Sequence, residues 1–490
     1  MLDTRSDEVW SFMTSYVFTF KTFLIVAVFV AWAFAWWGYC RHWKRLSAYL
    51  HRLPVIFYGS LVSLVLLVGG VGMLPIKART CVVLSQKTLS DLEVRYGDEE
   101  ILSLYSPVHR IALAVRSVQL TKHQILGVCE IQRTLSVERT EDAVPTVVLI
   151  IGESYNRAHS ELYGYGLQTT PHQIARKKKG ELFPFTDVIS CWNLTSYVFQ
   201  HIFSLHSVDS PEPWESYPLF PAVYQRAGYD VTFLSSQFPY HKSGNISEFA
   251  GSFFLNDQEL NRQMFDWRNT EATQPIDDME LLLTYDQIVS GQVPAMQTKS
   301  GRPNPYQLTI FSLIGMHFNY SDRILDESWN LFKVSDYSDK KLSAENCQIL
   351  ADYDNATRYN DYVVDEILQR MENKNAVVVY CPDHGEELFD GTGVWGRTYP
   401  DVFSKAEMHN QFQIPFWIWC SDTFRASYPQ QMERIRRAQN LPFMTDDLPH
   451  LLLDLTGVTC DYFDATRSIL SDTYHAGRKR MLRASQVYEP

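Results

Sequence analysis

The stretch Val377-Val-Val-Tyr-Cys-Pro-Asp-His-Gly-Glu-Glu-Leu388 decides the fold class of this chain. Its apolar residues 377–380 are typical of a buried strand, and Asp383 and His384 follow at the carboxyl end. Gly385 then permits a sharp turn of the backbone. Open α/β sheets place their sites just beyond the carboxyl ends of strands. The stretch therefore predicts a strand that presents two candidate metal ligands.

A second apolar strand, far away in the sequence, ends in the same way. Residues 145–151 lead directly into Gly152 and Glu153. A single Asp-His pair is common on protein surfaces and indicates little alone. Two buried strands that both deliver oxygen or nitrogen ligands at their carboxyl ends indicate a shared site.

The catalytic part of the chain alternates between apolar strands and helical segments. Helices are predicted over 221–228 and 353–372. This alternation predicts an α/β fold with a mostly parallel sheet and helices on both faces, a three-layer sandwich. The predicted strands are 146–151, 185–189, 230–234, 307–313, 376–381 and 415–419.

Composition describes a folded protein of more than one domain. The chain has 490 residues, of which 20% are charged and 46% hydrophobic, and its net charge is −12. The negative charge argues against nucleic acid as a partner, because phosphate-backbone binding requires a basic surface. The eight cysteines form no CxxC pair, which argues against a zinc ribbon or a thioredoxin-like motif. Cys381 and Cys420 lie in apolar runs and are predicted to be buried thiols.

Two apolar segments near the start, 23–37 and 55–74, are predicted to be transmembrane helices. By the positive-inside rule, the loop between them is cytoplasmic and everything after residue 74 lies outside the cytoplasm. The predicted organisation is a membrane anchor over 1–75, a connecting segment over 76–140 with a helix at 106–118, and a catalytic domain over 141–490. The loop contains no acidic residue and carries the basic residues Arg41, His42, Lys44, Arg45, His51 and Arg52.

Two hydroxyl side chains, Thr195 and Ser196, lie at the N-cap of a helix predicted over 197–205. They are interpreted either as ordinary helix caps or as a nucleophile held where the helix dipole favours a phosphoryl group. A hydroxyl becomes a competent nucleophile when a dication lowers its pKa. Glu153 with Asp383 and His384 would hold that ion. The ligand set suits zinc, and manganese stays open as an alternative.

Four further side chains are candidate contacts for the substrate. His317 follows the strand predicted over 307–313, and His409 lies in a loop predicted before the strand at 415–419. They are candidates for a second metal or for the substrate phosphate, although a lone histidine is more often structural. Gln237 and His241 follow the strand at 230–234 and are candidate donors to a phosphate or headgroup.

The order of these motifs resembles the phosphoethanolamine transferases, membrane members of the alkaline phosphatase/sulfatase superfamily. The resemblance covers about residues 140–475 and implies an alkaline-phosphatase-like fold. Its motifs are Ile151-Gly-Glu-Ser154, Tyr163-Gly-Tyr165, Thr169-Thr-Pro171, Ser190-Cys191 with Thr195, Gly315-Met-His317, Tyr353-Asp-Asn-Ala-Thr-Arg-Tyr359, Asp383-His-Gly-Glu386 and His409 before Ile414-Pro415.

The resemblance implies an activity and a location. In that family a threonine takes phosphoethanolamine from phosphatidylethanolamine and passes it to a glycan or glycolipid such as lipopolysaccharide. The enzyme is expected in the bacterial inner membrane with its catalytic domain in the periplasm. By resemblance, the zinc ligands are Glu153, Thr195, Asp383 and His384, and the two further site histidines are His317 and His409.

The chain departs from the family pattern in two places, and it also contains one motif that is attributed to chance. Family members usually have five membrane spans, whereas two are predicted here. His201 stands where a cysteine partner for Cys191 is often found, and the glycosylation sequon at Asn193 is taken as chance because a glycan would block Thr195.

Three alternative functions stay open at this stage. The first is a glycerol-phosphate transferase and the second is a phosphodiesterase or sulfatase, although Cys191 lacks the Pro and Arg of a sulfatase motif. The third is an inactive relative that binds a glycan or lipid. The loops 259–277 and 322–339, which are expected to select the acceptor, carry no recognisable code.

Overall fold

The computed structural model describes residues 55–85, 107–237, 253–269, 277–292, 304–324 and 326–490, with a few residues between 27 and 41. The chain divides into two compact units, Met1–Lys122 and His123–Pro490. The predicted segment 55–74 lies in helix α1, Val55–Ser85. Of the predicted segment 23–37, residues 27, 30–34, 36 and 37 are described, and they are helical. None of the helices in the described stretches is both long enough and apolar enough to traverse a bilayer. Helix α2, Pro107–Thr134, begins near the predicted position and continues well beyond residue 118.

A central sheet organises the second unit, and within its described residues this sheet has seven strands. The strands are β1 Thr146–Gly152, β2 Leu182–Phe185, β3 Asp230–Ser235, β4 Trp267–Arg268, β5 Gln307–Ser312, β6 Ala376–Pro382 and β7 Phe416–Cys420. Their order across the sheet is β2-β7-β6-β1-β5-β3-β4.

Most of the sheet is parallel, as the sequence predicts. Strand β1 pairs in parallel with β5 and with β6, and β3 pairs in parallel with β5 and β4. Strand β7 is antiparallel to both of its neighbours, β2 and β6. The register places Ile151 opposite both Cys381 and Ser312. The carboxyl ends of the three central strands are therefore level, and the residues that follow them meet at one edge.

One predicted strand is broken, one is shifted by a residue, and the other four end within one residue of their predicted bounds. The single strand predicted over 185–189 is broken at Thr186, whose N–H donates to the carbonyl oxygen of Gln439 at 2.8 Å. The chain then leaves the central sheet, and Asp187–Ile189 pairs in parallel with Pro442–Met444 instead. The last strand lies one residue later than predicted, at Phe416–Cys420.

Helices connect the strands of the second unit. Helix α8 begins at Ala344 rather than 353, because Ser343 caps it and accepts a hydrogen bond from the N–H of Asn346. Three short strand pairs complete the unit: Val137–Arg139 with Val458–Cys460, Glu387–Leu388 with Trp395–Gly396, and Met481–Leu482 with Gln486–Val487. The helices are α3 Pro171–Lys178, α4 Thr195–Phe203, α5 Phe220–Arg226, α6 Gln258–Met264, α7 Asp278–Val289, α8 Ala344–Met371, α9 Lys405–Phe412, α10 Asp422–Ser427, α11 Pro429–Ala438 and α12 Leu448–Thr456.

Both faces of the central sheet are covered. On one face, Val148 and Ile150 of β1 share a core with residues of α7 and α8, such as Leu281 and Ile367. On the other face, the ring of Phe233 in β3 meets that of Phe203 in α4 at 5.9 Å. Burial on both sides explains why β1 reads as a continuous apolar run instead of an alternating one.

Candidate metal centre

Three buried side chains converge at the carboxyl ends of β1 and β6. Glu153 follows β1, and Asp383 and His384 follow β6. All three are fully buried, and one ligand atom from each lies within 4.8 Å of the others. Parallel pairing of two neighbouring strands thus brings together residues that lie far apart in the sequence.

Thr195 completes this group from the start of α4. Its Oγ1 lies 3.3 Å from Oε2 of Glu153 and 3.3 Å from Nε2 of His384. The helix begins at Thr195, so the N-cap is Leu194 and not Thr195 as predicted. The threonine hydroxyl therefore makes no capping bond and faces the carboxylate and imidazole instead.

The imidazole of His384 is held in one orientation. Its Nδ1 lies 2.8 Å from the carbonyl oxygen of Gly385, which can only accept, so Nδ1 carries the proton and Nε2 presents a lone pair. Burial lowers the pKa of His384 to about 3, and the charge of Arg397 acts in the same direction. A neutral imidazole that is fixed through its other nitrogen is the usual form of a metal-binding histidine.

Asp383 is fixed through one of its two oxygens. Its Oδ1 accepts from the backbone N–H groups of Ser154 at 2.9 Å and His384 at 2.7 Å. Its Oδ2 is buried and accepts no hydrogen bond from the described residues, although it lies 3.2 Å from Nε2 of His384. Burial and the charge of Glu153 both raise the pKa of Asp383. The two carboxylates repel each other unless a cation lies between them.

Glu153 is positioned by neighbours on both oxygens. Its Oε1 accepts from the Ser154 hydroxyl at 2.7 Å, and its Oε2 accepts from Nε2 of Gln237 at 2.9 Å. Gln237 also donates to the carbonyl oxygen of Leu313 at 2.8 Å, which ties the carboxylate to the end of β5. Gln237, a predicted phosphate donor, is therefore engaged with a metal-ligand candidate in this structure.

These residues fit a zinc ion. They offer carboxylate oxygens, one imidazole nitrogen and a hydroxyl, a set that zinc accepts in tetrahedral sites. The unpaired, buried Oδ2 of Asp383 is an acceptor that a cation would satisfy. Glu153, Thr195, Asp383 and His384 are the four side chains that would hold the ion.

Comparison with known families matches residues 145–458 to the family described as Sulfatase. The chain belongs to the sulfatase family. It is 26% identical over 335 residues to phosphoethanolamine transferase EptC of Escherichia coli (strain K12), an alignment covering 67% of this chain and 54% of that protein. It therefore spans about half the length of that relative. It is 25% identical over 486 residues to phosphoethanolamine transferase CptA of Salmonella typhimurium (strain LT2), covering 97% of this chain and 77% of the relative.

Solved structures agree with this sulfatase-family assignment. The C-terminal periplasmic domain of E. coli EptC in complex with zinc superimposes with a TM-score of 0.58 at 25% identity, covering 71% of this chain and 91% of that one. The integral membrane protein lipooligosaccharide phosphoethanolamine transferase A of Neisseria meningitidis shares the fold with a TM-score of 0.53 at 20% identity, covering 90% of this chain and 75% of that one. The predicted family resemblance and α/β fold are confirmed.

Only a glycine fits at position 385, and the reason is a close backbone contact and not the predicted turn. Its φ is not positive. A Cβ at this position would lie 2.1 Å from the carbonyl oxygen of Asn410, and the N–H of Gly385 donates to the carbonyl oxygen of Gln411 at 2.9 Å. The residue after His384 must be glycine because the backbone of α9 passes directly against it.

The two predicted substrate histidines lie in different surroundings. His317 is partly exposed after β5, with Nδ1 2.7 Å from the carbonyl oxygen of Phe318, and it adds to the effect of burial and Arg397 in lowering the pKa of His384. His409 lies in α9 and not in a loop as predicted, because Ser404 forms a capping box at the start of that helix. The ring of His409 lies 6.1 Å from that of Tyr488. His241 lies outside the described residues.

Sequence reasoning missed Arg397. Its Nη1 hydrogen-bonds to Nε2 of His384, 13 positions earlier in the chain. The available signal was a single arginine after the two-residue strand Trp395–Gly396, which is too short to form a recognisable pattern. This guanidinium is the positively charged group that contacts the proposed ligand His384.

The cysteines and the sequon also have clear outcomes. Cys191 is a buried free thiol, and the predicted burial of Cys381 and Cys420 is confirmed.

Asn193 is buried and its amide donates to the carbonyl oxygen of Thr398 at 3.0 Å and to Gln411 at 2.8 Å. A buried side chain cannot carry a glycan. This agrees with the prediction that the sequon at Asn193 occurs by chance.

Proposed function

We propose that this sulfatase-family chain is a phosphoethanolamine transferase. In this proposal it moves the headgroup of phosphatidylethanolamine to an envelope glycan or glycolipid, such as lipopolysaccharide, through a covalent intermediate on Thr195. The observation that carries the proposal is the approach of the Thr195 hydroxyl to Glu153 and His384 within 3.3 Å. The naming of EptC and CptA as phosphoethanolamine transferases supports it.

The side chains of the centre have separate tasks. When bound to Glu153, Asp383 and His384, a zinc ion would lower the pKa of the threonine hydroxyl and polarise the phosphoryl group. Glu153 lies within hydrogen-bond distance of the Thr195 hydroxyl and is placed to accept its proton. The amino end of α4, which begins at Thr195, directs its positive dipole at the same place and favours an anionic phosphoryl group.

The reaction runs in two displacements. In the first, Oγ1 of Thr195 gives its proton to Glu153 and forms a bond to phosphorus, the bond from phosphorus to the diacylglycerol oxygen breaks, and Glu153 passes the proton to that oxygen. In the second, an acceptor oxygen forms a bond to phosphorus, the bond from phosphorus to Thr195 breaks, and the acceptor proton returns to the threonine. Splitting the transfer in this way lets donor and acceptor use one site in turn.

The other predicted site residues keep proposed roles. His317, His409, Gln237 and His241 are proposed as contacts to the substrate phosphate or headgroup. Gln237 lies beside the centre, where its Nε2 donates to Glu153. The proposal has two variants. One adds a second metal ion near His317 and His409, and the other replaces zinc by manganese.

The location of the enzyme is part of the proposal. Residues 1–75 are proposed to anchor the chain in the bacterial inner membrane through the segments 23–37 and 55–74, with 76–140 as a connection and 141–490 as a periplasmic catalytic domain. The support is the basic loop between the segments and the periplasmic and membrane descriptions of the EptC and EptA structures. An anchored site gains a high local concentration of a lipid donor.

Labelled donor lipids test the proposal. The full chain, loaded with zinc in detergent, is incubated with phosphatidylethanolamine or with phosphatidylglycerol, and Thr195 peptides are examined by mass spectrometry. A phosphoethanolamine adduct with the first lipid alone is the expected result. A glycerol-phosphate adduct identifies the alternative transferase, release of headgroup to water without transfer identifies a hydrolase, and no adduct with either lipid identifies an inactive relative. Mass spectrometry of envelope glycolipids with and without the gene then identifies the acceptor.

A further inference from the structure

A short hairpin brings Arg397 to the metal centre. The strand Trp395–Gly396 pairs antiparallel with Glu387–Leu388, with Gly396 opposite Glu387. This pairing returns the chain to the segment that carries Asp383 and His384. Arg397 is the next residue, and its Nη1 donates a hydrogen bond to Nε2 of His384.

Most of the N–H donors of the Arg397 guanidinium form no hydrogen bond with the part of the chain that the structure describes. An arginine has five N–H groups. Among the described residues, Arg397 uses one of them on His384 and forms no close ion pair with a carboxylate. The guanidinium of an arginine stays protonated in proteins, so Arg397 carries a full positive charge beside the centre. A charged, partly buried guanidinium with free donors is prepared to bind an anion.

The position of that anion is fixed by Thr195. The threonine Oγ1 lies 3.3 Å from Nε2 of His384, the same atom that Nη1 of Arg397 contacts. The hydroxyl and the guanidinium are therefore neighbours around one imidazole nitrogen. A phosphoryl group bonded to the threonine oxygen places its other oxygens beside these donors.

We propose that Arg397 is a catalytic residue whose guanidinium binds the non-bridging oxygens of the phosphoryl group during its transfer to and from Thr195. This inference rests on the proposed function. A zinc ion held by His384 would occupy Nε2, and the Arg397 donor that now contacts this nitrogen would be free for the phosphoryl oxygens. Donors held where charge develops stabilise the transition state without reorganisation, and the planar guanidinium matches two phosphoryl oxygens at once.

Charge balance supports the same role. Glu153 and Asp383 place two carboxylates in the buried centre, and a phosphodiester adds a further negative charge. One dication alone does not balance the two carboxylates and the phosphodiester, so the site with both ion and substrate bound keeps a net negative charge. Arg397 supplies the missing positive charge, and it keeps that charge at every physiological pH.

Two substitutions of Arg397 test the proposal in the full zinc-loaded chain. Arg397→Gln is expected to slow formation of the Thr195 adduct from phosphatidylethanolamine by about 100- to 1000-fold, the usual effect of removing one such donor. It is also expected to weaken binding of inorganic phosphate, measured by calorimetry, by at least about tenfold, with zinc content unchanged. Arg397→Lys keeps the positive charge but loses the planar pair of N–H donors. It should therefore recover part of the adduct formation and part of the phosphate binding. Arg425→Gln, which removes an arginine paired with Asp422 on α10, serves as the matched control.

Each other outcome has a defined meaning. Normal adduct formation or normal phosphate binding in Arg397→Gln overturns the proposal. A loss of zinc equal to the loss of phosphate binding also overturns it, because Arg397 then acts on the metal site. If Arg397→Gln does not fold, the folded Arg397→Lys variant decides by its phosphate affinity, and an affinity equal to that of the wild type overturns the proposal. If the wild type forms no adduct, the proposed function fails, and phosphate binding still decides the role of Arg397.

Discussion

Oγ1 of Thr195 and Nε2 of His384 lie 3.3 Å apart although 189 positions separate them in the chain. The contact exists because α4 begins at Thr195 and β6 ends just before Asp383 at the same edge of the sheet. The arrangement places one hydroxyl, and not its neighbour Ser196, against the buried ligands. Several measurable properties depend on it.

Replacing Thr195 by valine removes the hydroxyl and keeps the shape of the side chain. We expect turnover of phosphatidylethanolamine to fall by about 1000-fold or more, as for loss of a covalent nucleophile. Folding should be preserved, and Glu153, Asp383 and His384 should still hold zinc, although more weakly than with all four ligands. Thr195→Ser should retain measurable transfer. Headgroup transfer and the mass of the Thr195 peptide are the readouts, and Ser196→Ala is the matched control, expected to behave like the wild type. Normal turnover in Thr195→Val would reject the nucleophile assignment.

Zinc should stabilise the folded chain. Glu153 and Asp383 repel each other when no cation is present, so an ion that binds only the folded state raises its stability by about 2.7 kcal/mol at one hundred times its Kd. The midpoint of thermal unfolding, measured with and without zinc, reports this gain. Glu153→Gln should lose most of the zinc response, whereas Glu366→Gln, a carboxylate of α8 that pairs with Arg370, should keep it. An equal zinc response in Glu153→Gln contradicts the proposed ligand set.

Gln237 should act on the metal through Glu153. Its amide joins Oε2 of Glu153 to the carbonyl oxygen of Leu313, and partners of metal ligands usually contribute about 10- to 100-fold to metal affinity. We therefore expect Gln237→Leu to weaken zinc binding by that factor in competition with a chelator. Gln348→Leu, which removes an exposed amide of α8, is the control. Unchanged zinc affinity in Gln237→Leu would show that the carboxylate is positioned without this amide.

A buried ion pair makes the stability of the domain depend on pH. Nδ1 of His159 lies 2.7 Å from Oδ1 of Asp354, and its Nε2 lies 3.1 Å from Oδ2 of Asp390. Burial opposes the charge of His159, but the two aspartates outweigh it and raise its pKa to about 9. The folded state therefore holds a proton that the unfolded chain releases near its ordinary pKa. This stabilisation, about 3 kcal/mol, is complete below about pH 6.5 and is lost as the pH rises through about 9.

Urea unfolding at pH 6 and at pH 10 measures this dependence. In Asp354→Asn the difference in unfolding free energy between the two pH values should be smaller than in the wild type by about 2 to 3 kcal/mol. Asp352→Asn makes the same charge change on the same helix and should leave the difference as it is, because Asp352 bonds Gln348 instead. A pH dependence in Asp354→Asn equal to that of the wild type would place the proton elsewhere.

Alanine at Gly385 should damage both fold and metal site. The added Cβ would lie 2.1 Å from the carbonyl oxygen of Asn410, and since both atoms are fixed to backbone, the segment must move. We expect a loss of about 3 kcal/mol in unfolding free energy and weaker zinc binding through displacement of His384. Gly166→Ala is the control, because a Cβ there has no atom within 4 Å. Equal stability of the two variants would show that the α9 backbone yields easily.

The fold was largely predictable because strands that are buried on both faces have continuous apolar sequences. Strand β1 is such a run, and its parallel neighbours give similar ones. The antiparallel direction of β7 was not predictable, since an apolar run such as Phe416–Cys420 has the same composition in either direction. The start of α8 was missed because the capping residue Ser343 lies well before the apolar periodicity becomes evident.

Site residues that directly follow a strand of the central sheet were predictable. Site residues in the longer loops were not. Glu153 and Asp383 come directly after β1 and β6, so the parallel pairing alone places them together. Arg397 depends on a hairpin of two-residue strands, whose position follows from tertiary contacts only. His409 was misplaced for the opposite reason, since the capping box of α9 turned an expected loop into a helix.

The free thiols bear on how the second unit is held together. Cys129, Cys191, Cys347, Cys381 and Cys420 are buried and unpaired. Desolvation raises the pKa of Cys191 and Cys381, so both resist conversion to the reactive thiolate. Each cysteine of the second unit, Cys460 included, is a free thiol, so the fold of this unit is held together without a disulfide bond.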